Sequence, residues 1–544
     1  MITKCERRTV KNMSGNTADE VLKILADWGV RSMYGVSGDA VFPLLDAVSR
    51  QSKIKYYAAA VETGAAFMAA YEAKLTGHPG VCIATSGPGS ANLVNGLAEA
   101  YYDGAPVLAI TGQAATGKLG TNTKQYFNQQ QLFTPFTRMS ELVVSPEAVG
   151  PVLVSALETA VNEKTVTHLS IPVDIWQMPA GGVKRARITG RRQIVGSGFA
   201  GGLEETAVML NNAQRPVIII GTRDGQTAGR CLLLADKRGA GIIVAQQAKG
   251  VIPDDNPLVM GGIGEAYVPQ ALSQADFFLL VGAAAFELKF LPLAASIMQL
   301  SDSPDALHYD RIDSGMIGSP GQLLKLLIEK IPARRDRKGW LDEISADREN
   351  LTRQLAADAD NGEIPVHPGR LIAALNRTLA ADAIIACDIG SFGHWFDRGF
   401  QARQQTVLLS SRWRSMGAGL PAAIAAKISC PEKQVIALVG DGGLLMSMPE
   451  LLTAVKYRLP VTVVVANNHE YALETARMQA QGLTPFGNNI LTPDFAAYAK
   501  AAGAHGYRVE DSAQLESTLT EAFGSNEPTV VDVQVSNPQL PNLQ

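Results

Sequence analysis

Apolar and polar positions along this chain follow two rhythms that take turns. TADEVLKILADWG (17–29) sets apolar residues three and four apart, the spacing of a helix with one buried face. GVCIATS and APVLAITG are short, nearly unbroken apolar runs of the kind found in a parallel sheet covered on both sides. This exchange of helix-like and strand-like segments runs from about residue 16 to 185 and stops in PAGGVKRARITGRR (179–192), a Gly-rich basic stretch that reads as a linker.

A second alternating block opens at RPVIIIGT (215–222), continues through AGIIVAQQ and DFFLLVGA, and fades near IEKIPARRDRK (328–338). The charged helical stretch DEISADRENLTRQLAADADNGE and the helix-like HPGRLIAALNRTLA lead into a third block, with strands at AIIACDIG, KQVIALVGD and LPVTVVVANN. The predicted fold class is therefore α/β, with three doubly wound parallel-sheet domains at 1–188, 189–350 and 351–544. The 544 residues are also too many for one core at about 100–200 residues per domain.

Composition narrows the function classes. With 46% hydrophobic and 18% charged residues the chain is neither disordered nor fibrous, and a net charge of -4 offers no basic excess for nucleic-acid phosphates. No run reaches the roughly 18 apolar residues a membrane helix needs, and the start MITKCERRTVKNMSGN is polar, so a cytoplasmic protein without membrane attachment is expected. Cys5, Cys82, Cys231, Cys387 and Cys430 are scattered, which argues against disulfide scaffolding and structural zinc. Cys82 and Cys387 read as buried strand fillers.

The segment VIALVGDGGLLMSMPELLTAVKYRLPVTVVVANNHE (435–470) carries the most chemistry. A β-branched strand ends in Gly440-Asp441-Gly442-Gly443, a helix follows, and the next strand ends in Asn467-Asn468. Ligands of an open parallel sheet sit at the carboxyl ends of its strands, so Asp441 and Asn468 are placed to converge. A carboxylate and an amide oxygen are hard donors suited to Mg²⁺, and bare N–H groups after the glycines suit a diphosphate. A lone Asp-Gly turn would mean nothing more than a turn; the ordered set of strand, turn, helix, strand and Asn-Asn is what carries the reading.

GDG followed at this distance by NN resembles the signature of thiamine diphosphate enzymes. The likeness extends to YGVSGD (34–39), to AAVETGAAFMAAYEAKLTGHPGVCIATSGPGSANLVNGLAEAYYDGAPVLAITGQ (59–113) and to MGAGLPAAIAA (416–426), which resemble pyruvate oxidases and acetolactate synthases. It implies a pyrimidine-binding, a central and a diphosphate-binding domain, with thiamine diphosphate and Mg²⁺ as cofactors. Each active site would lie between two subunits of a homodimer or homotetramer.

By the same resemblance Glu62 is the acid that hydrogen-bonds the cofactor's aminopyrimidine ring, and its neighbours Ala58 to Val61 and Ala65 to Phe67 predict that it is buried. Proton sharing there favours the tautomer whose exocyclic nitrogen takes the proton from thiazolium C2. Met416 would wedge between the two cofactor rings; Asp441, Asn468 and the backbone carbonyl of Glu470 would hold the metal. Gly390, Ser391 and Phe392, with Gly440, Gly442 and Gly443, would contact the diphosphate, and Asn92 would lie near the pyrimidine.

The pattern departs from the family in three places. Where a Phe-Gln-Glu triplet approaches the reacting carbon, this chain reads Lys124-Gln125-Tyr126, which makes Gln125 the catalytic candidate; another register puts Phe127-Asn128-Gln129 there. Lys124 fits either recognition of an anion or a solvated loop. Val61 replaces the usual His before the acid, and His394 and His469 are left either to replace it or to serve structurally. In the central block, GTRDGQ (221–226), GAAAFELKF (282–290) and QLSDSP (299–304) stand where relatives bind FAD, and leave that cofactor open.

The function expected is decarboxylation of a 2-oxo acid, pyruvate first, with transfer of the remaining carbanion to an acceptor in an acetolactate synthase-like carboligation. An FAD-dependent pyruvate oxidase is the alternative. A non-catalytic regulatory paralogue is the alternative of another class, and the joint presence of Glu62, Asp441 and Asn468 argues against it.

Overall fold

The computed structural model describes residues 15–181, 200–282, 287–308, 310–334, 337–540 and 542–543. Most of the linker expected at 179–192, Cys5 and residues 283–286 of GAAAFELKF lie outside these residues. The chain divides into two compact units, Met1–Arg192 and Gln193–Gln544.

The first unit is built on a six-stranded parallel sheet: β1 (Ser32–Gly35), β2 (Lys55–Ala58), β3 (Gly80–Ala84), β4 (Val107–Gln113), β5 (Met139–Leu142) and β6 (Val166–Pro172). Their order is β2-β1-β3-β4-β6-β5. The two apolar runs become β3 and β4, and β3, β4 and β6 are buried at every position because helices cover both faces. The helix predicted at 17–29 forms as Thr17–Asp27, started by a capping box between Asn16 and Asp19. Its stripe of Ala18, Val21, Leu22 and Leu25 packs on Val81, Ile83, Leu108 and Ile110. Each such Val, Leu or Ile contributes about 1.5–3 kcal/mol by leaving water.

The second unit contains two sheets. The five-stranded one comprises β7 (Pro216–Gly221), β8 (Gly241–Val244), β9 (Phe277–Gly282), β10 (Ser296–Ser301) and β11 (Ser314–Ile317), in the order β11-β10-β9-β7-β8. The six-stranded one comprises β12 (Ile384–Cys387), β13 (Thr406–Leu408), β14 (Val435–Gly440), β15 (Thr462–Asn467), β16 (His505–Val509) and β17 (Thr529–Gln534), ordered β13-β12-β14-β15-β17-β16. All strand pairs within these named sheets are parallel, so the three-sheet α/β architecture stands as expected.

The boundary expected at 350/351 falls inside a helix, Lys338–Ala359. Trp340 and Ile344 of that helix pack with Val217, Ile219 and Leu280 of the five-stranded sheet, so its first half belongs with the central core despite its charged surface. Cys82 and Cys387 are free and buried, as strand fillers should be.

Candidate functional site

In the six-stranded sheet of the second unit, the chain leaves β12 for β13 on one side and then crosses to β14 on the other. That reversal opens a crevice at the carboxyl ends of β12 and β14. Gly440 ends β14, and the seven-residue helix Asp441–Ser447 begins at once. β15 pairs with β14 through Gly440 and Ala466, which brings Asn467 and Asn468 level with Asp441.

Asp441 is 3% exposed, and its Oδ1 accepts the Gly442 N–H at 2.8 Å. Its Oδ2 is buried and makes no hydrogen bond among the described residues. Burial pushes the carboxyl above the ordinary range, against the backbone N–H groups of Gly442 and His469. A buried carboxylate oxygen left unmet is destabilising by about 1–3 kcal/mol or more, and a cation would relieve it.

The two asparagines part company. Asn467 is buried, with Nδ2 donating to Asp532 Oδ1 at 2.9 Å. Asn468 is half-buried; its Nδ2 donates to Asn537 Oδ1, and its Oδ1 accepts the Glu470 N–H at 3.2 Å. These bonds fix which end of the Asn468 amide is oxygen and leave that oxygen a second lone pair. The Glu470 carboxylate is taken by Thr475 Oγ1 and by Asn537 Nδ2. Among the described residues no group of three or more His, Cys, Asp and Glu comes together as a metal site. A metal here would thus rest on one carboxylate, one amide oxygen and carbonyl or ligand oxygens, which fits Mg²⁺ and not zinc.

Neighbouring loops crowd the glycine turn. A Cβ on Gly442 would lie 2.4 Å from Tyr471 Cε1 and 3.2 Å from Met416 Cε, and one on Gly443 would lie 2.7 Å from Asp388 Oδ2. Met416 therefore stands against the turn. The Phe392 ring is buried in the hydrophobic core, so any diphosphate contact in Gly390-Ser391-Phe392 falls to the backbone and to half-buried Ser391. Asp388 and Tyr471, both missed by the sequence reading, complete this set.

In the first unit Glu62 opens the helix Glu62–Thr76, and its Oε2 accepts Asn92 Nδ2 at 3.0 Å. Thr63 Oγ1 donates to the Asn92 carbonyl at 2.6 Å. The expected burial of Glu62 is corrected: the residue is half-buried, with Val61 beside it 37% exposed. Ala65, Ala66 and Phe67 do face the interior, but the first helical residue lies at the open end, where the helix dipole also favours an acid.

Gln125 adopts φ 62° and presses on Gly87, where a Cβ would sit 2.8 Å from Gln125 Cβ. Gly87 precedes the helix Pro88–Asn92 that delivers Asn92 to Glu62, so Gln125 borders the same loop. In the competing register Phe127-Asn128-Gln129, Asn128 is exposed and caps the helix Gln129–Phe133, and Gln129 is fully buried, bonded to Thr111 and to the Gly112 carbonyl. Lys124 is exposed.

Both spare histidines have partners. His469 sits between Gln534 Oε1 (3.0 Å) and Thr492 Oγ1 (2.7 Å). His394 Nε2 lies 3.0 Å from Glu265 Oε2; burial pushes this imidazole down to about 4, while the glutamate pulls the other way. Lys289 Nζ (2.8 Å) and Arg477 NH2 (3.3 Å) also reach Glu265. No helix among the described residues is long and apolar enough to cross a membrane.

Comparison with known proteins gives a consistent result. Residues 15–132 match the family described as thiamine pyrophosphate enzyme, N-terminal TPP binding domain; 203–327 match its central domain; and 388–533 match its C-terminal TPP binding domain. The chain is 33% identical over 543 residues to the "Putative thiamine pyrophosphate-containing protein YdaP" of Bacillus subtilis, covering 97% of this chain and 93% of that protein. It is 28% identical to the "Pyruvate oxidase" of Lactiplantibacillus plantarum, covering 95% and 88%. It is also 28% identical to the "Acetolactate synthase, catabolic" of Raoultella terrigena, covering 97% and 96%.

Proposed function

Since the chain belongs to the thiamine pyrophosphate enzyme family, we propose that it decarboxylates a 2-oxo acid, pyruvate first, and passes the remaining carbon unit to an acceptor in an acetolactate synthase-like carboligation. The observation that carries this reading is the buried, unmet Oδ2 of Asp441 level with the Asn468 amide at the strand ends.

When bound, thiamine diphosphate would supply a nucleophilic carbon and an electron sink for the bond broken as CO₂ leaves. Asp441, the Asn468 amide oxygen and the Glu470 backbone carbonyl hold Mg²⁺. The N–H groups of the Gly440–Gly443 turn and the backbone of 390–392 hold the diphosphate, and Met416, against Gly442, shapes the bound cofactor. Glu62, with its second oxygen steadied by Asn92, shares a proton with the pyrimidine ring nitrogen. Gln125 orients the substrate from the neighbouring loop.

The domains that divide this work are placed at 1–188, 189–350 and 351–544, with the middle boundary shifted toward the end of Lys338–Ala359. We infer a homodimer or homotetramer in which Glu62 of one copy serves the metal site of another. The exposure of Val61 (37%) beside Glu62 and of Met446 (56%) in the Asp441 helix supports this, because both are apolar groups a partner would cover.

A flavin oxidase is the second reading. It draws on the likeness to the protein named pyruvate oxidase and on the switch point of the five-stranded sheet between β7 and β9, where a Cβ on Gly282 would meet Gly221 at 3.1 Å. Product analysis of the purified protein with pyruvate, thiamine diphosphate and Mg²⁺, alone and with aldehyde or oxo-acid acceptors, tests the first reading. Carbon–carbon coupled products support it; a stoichiometric flavin absorption band with oxidant-dependent turnover replaces it by the second.

A further inference from the structure

Asp388, the first residue beyond β12, is 3% exposed. Its Oδ1 accepts the Ile389 N–H at 2.7 Å and the Gly417 N–H at 3.1 Å, and its Oδ2 accepts the same Gly417 N–H at 2.9 Å. The carboxylate also borders two other segments: a Cβ on Gly443 would come within 2.7 Å of Oδ2, and one on Gly419 within 3.0 Å of Asp388 Cβ. One buried acid thus touches the 388–392 loop, the Met416–Gly419 segment and the glycine turn after β14.

The Asp388 carboxylate is a strong acceptor beside the turn proposed to receive a diphosphate, and it meets one backbone N–H with both oxygens, that of the residue next to Met416. Gly417 has φ 85°, in the left-handed region, with Met446 Cβ 2.9 Å from where its own Cβ would be. The segment has little room to relax once that N–H is held.

We propose that Asp388 is a positioning residue: by gripping the Gly417 N–H it sets where the Met416 side chain stands over the glycine turn, and so the shape in which the cofactor is held. The consequence for catalysis rests on the proposed function; the grip on the loop does not.

The test uses the full-length protein with Asp388→Asn, and Asp388→Ser as a second variant that creates no crowding. In the cofactor-free protein, amide hydrogen exchange should rise at least tenfold across 412–419 and stay unchanged across β15. At saturating thiamine diphosphate and Mg²⁺, kcat and the rate at which the cofactor's C2 proton exchanges with D₂O should fall at least tenfold, while cofactor Kd moves less than threefold. Exchange unchanged across 412–419, or kcat and Kd lost in parallel with faster exchange everywhere, overturns the proposal; so does failure of both variants to fold. If the wild-type protein binds no thiamine diphosphate, the functional reading fails while the exchange result still decides the role of Asp388.

Discussion

The six-stranded sheets near the two ends of the chain have the same connectivity and different furnishings. Numbered within each sheet, both run second, first, third, fourth, sixth, fifth, and so both reverse direction between their first and third strands. At the N-terminal reversal the two loops bond to one another. Asp39 Oδ1 accepts Ala40 N–H at 2.9 Å and Thr85 Oγ1 at 3.2 Å, and a Cβ on Gly38 would strike Thr85 Cβ at 2.4 Å. At the C-terminal reversal Asp441 keeps a buried oxygen unmet. The N-terminal acid, Glu62, begins the helix after the edge strand β2 and reaches the segment beyond β3, where it accepts Asn92 Nδ2 and its Oε1 lies 3.1 Å from where a Cβ on Gly89 would sit. Topology provides a crevice in both sheets; loop chemistry decides which one can hold an anion with its metal.

The contrast breaks most visibly at Glu62. Glu62→Gln should lower kcat by about 10³-fold, within the span of proton-transfer catalysis, and leave cofactor affinity within about threefold, because the acid belongs to the sheet that does not grip the diphosphate. Steady-state rates and a binding titration on the same protein check both halves. Asp441→Asn should do something Glu62→Gln does not, which is to stabilise the cofactor-free protein by about 1–3 kcal/mol through removal of an unmet buried charge; a lower apo Tm would count against this account of Asp441.

Acid should act in opposite directions on two buried groups, one in each unit. His168, on β6, is fully buried between Thr111 and Ser140, and burial pushes its imidazole down to about 3. The unfolded chain takes up that proton below the ordinary value of 6.5 and the folded unit does not, so stability contributed by His168 is lost as pH falls from 6.5 toward 3. Asp397, in the helix after Gly390, is pushed up to about 6 by burial and by Asp254, against Lys249. Its contribution is fully present below the ordinary 3.8 and lost as pH rises through about 6. Each slope is at most about 1.4 kcal/mol per pH unit. Comparing the unfolding of the wild type with that of His168→Gln and of Asp397→Asn between pH 4 and 6 reads the two contributions separately; differences that move the same way with pH would remove the distinction. The smallest effect is expected at exposed Lys124, where Lys124→Ala should change kcat/KM by less than about twofold if the lysine is a solvated loop residue.

Periodicity made the sheets and the helix Thr17–Asp27 legible, because burial on one or both faces is written directly into residue spacing. The pairing of Asp441 with Asn468 was legible for the same reason, both lying just past the ends of adjacent apolar strands. Asn468 was chosen over Asn467 by the family resemblance, and the fold separates them physically by turning Asn467 inward. The competing register Phe127-Asn128-Gln129 could not be weighed from spacing, whereas in the fold its last residue, Gln129, is bonded inside the sheet. The environment of Glu62 was misjudged because apolar neighbours along the chain need not be neighbours in space at a helix end. Asp388 left no trace in spacing, since its partner is a backbone N–H far along the chain. The segment Lys338–Ala359 reads as a charged helix, and its charged face hid the apolar stripe through Trp340 and Ile344 that joins it to the central core.

Calorimetric titration of the full-length protein with thiamine diphosphate, with Mg²⁺ and then with the metal chelated, tests the central claim most directly when repeated on Asp441→Asn. One cofactor should bind per chain, with affinity falling at least tenfold on chelation and by a similar factor in the variant. Binding that is indifferent to both Mg²⁺ and Asp441 would contradict a metal-anchored diphosphate at the end of β14.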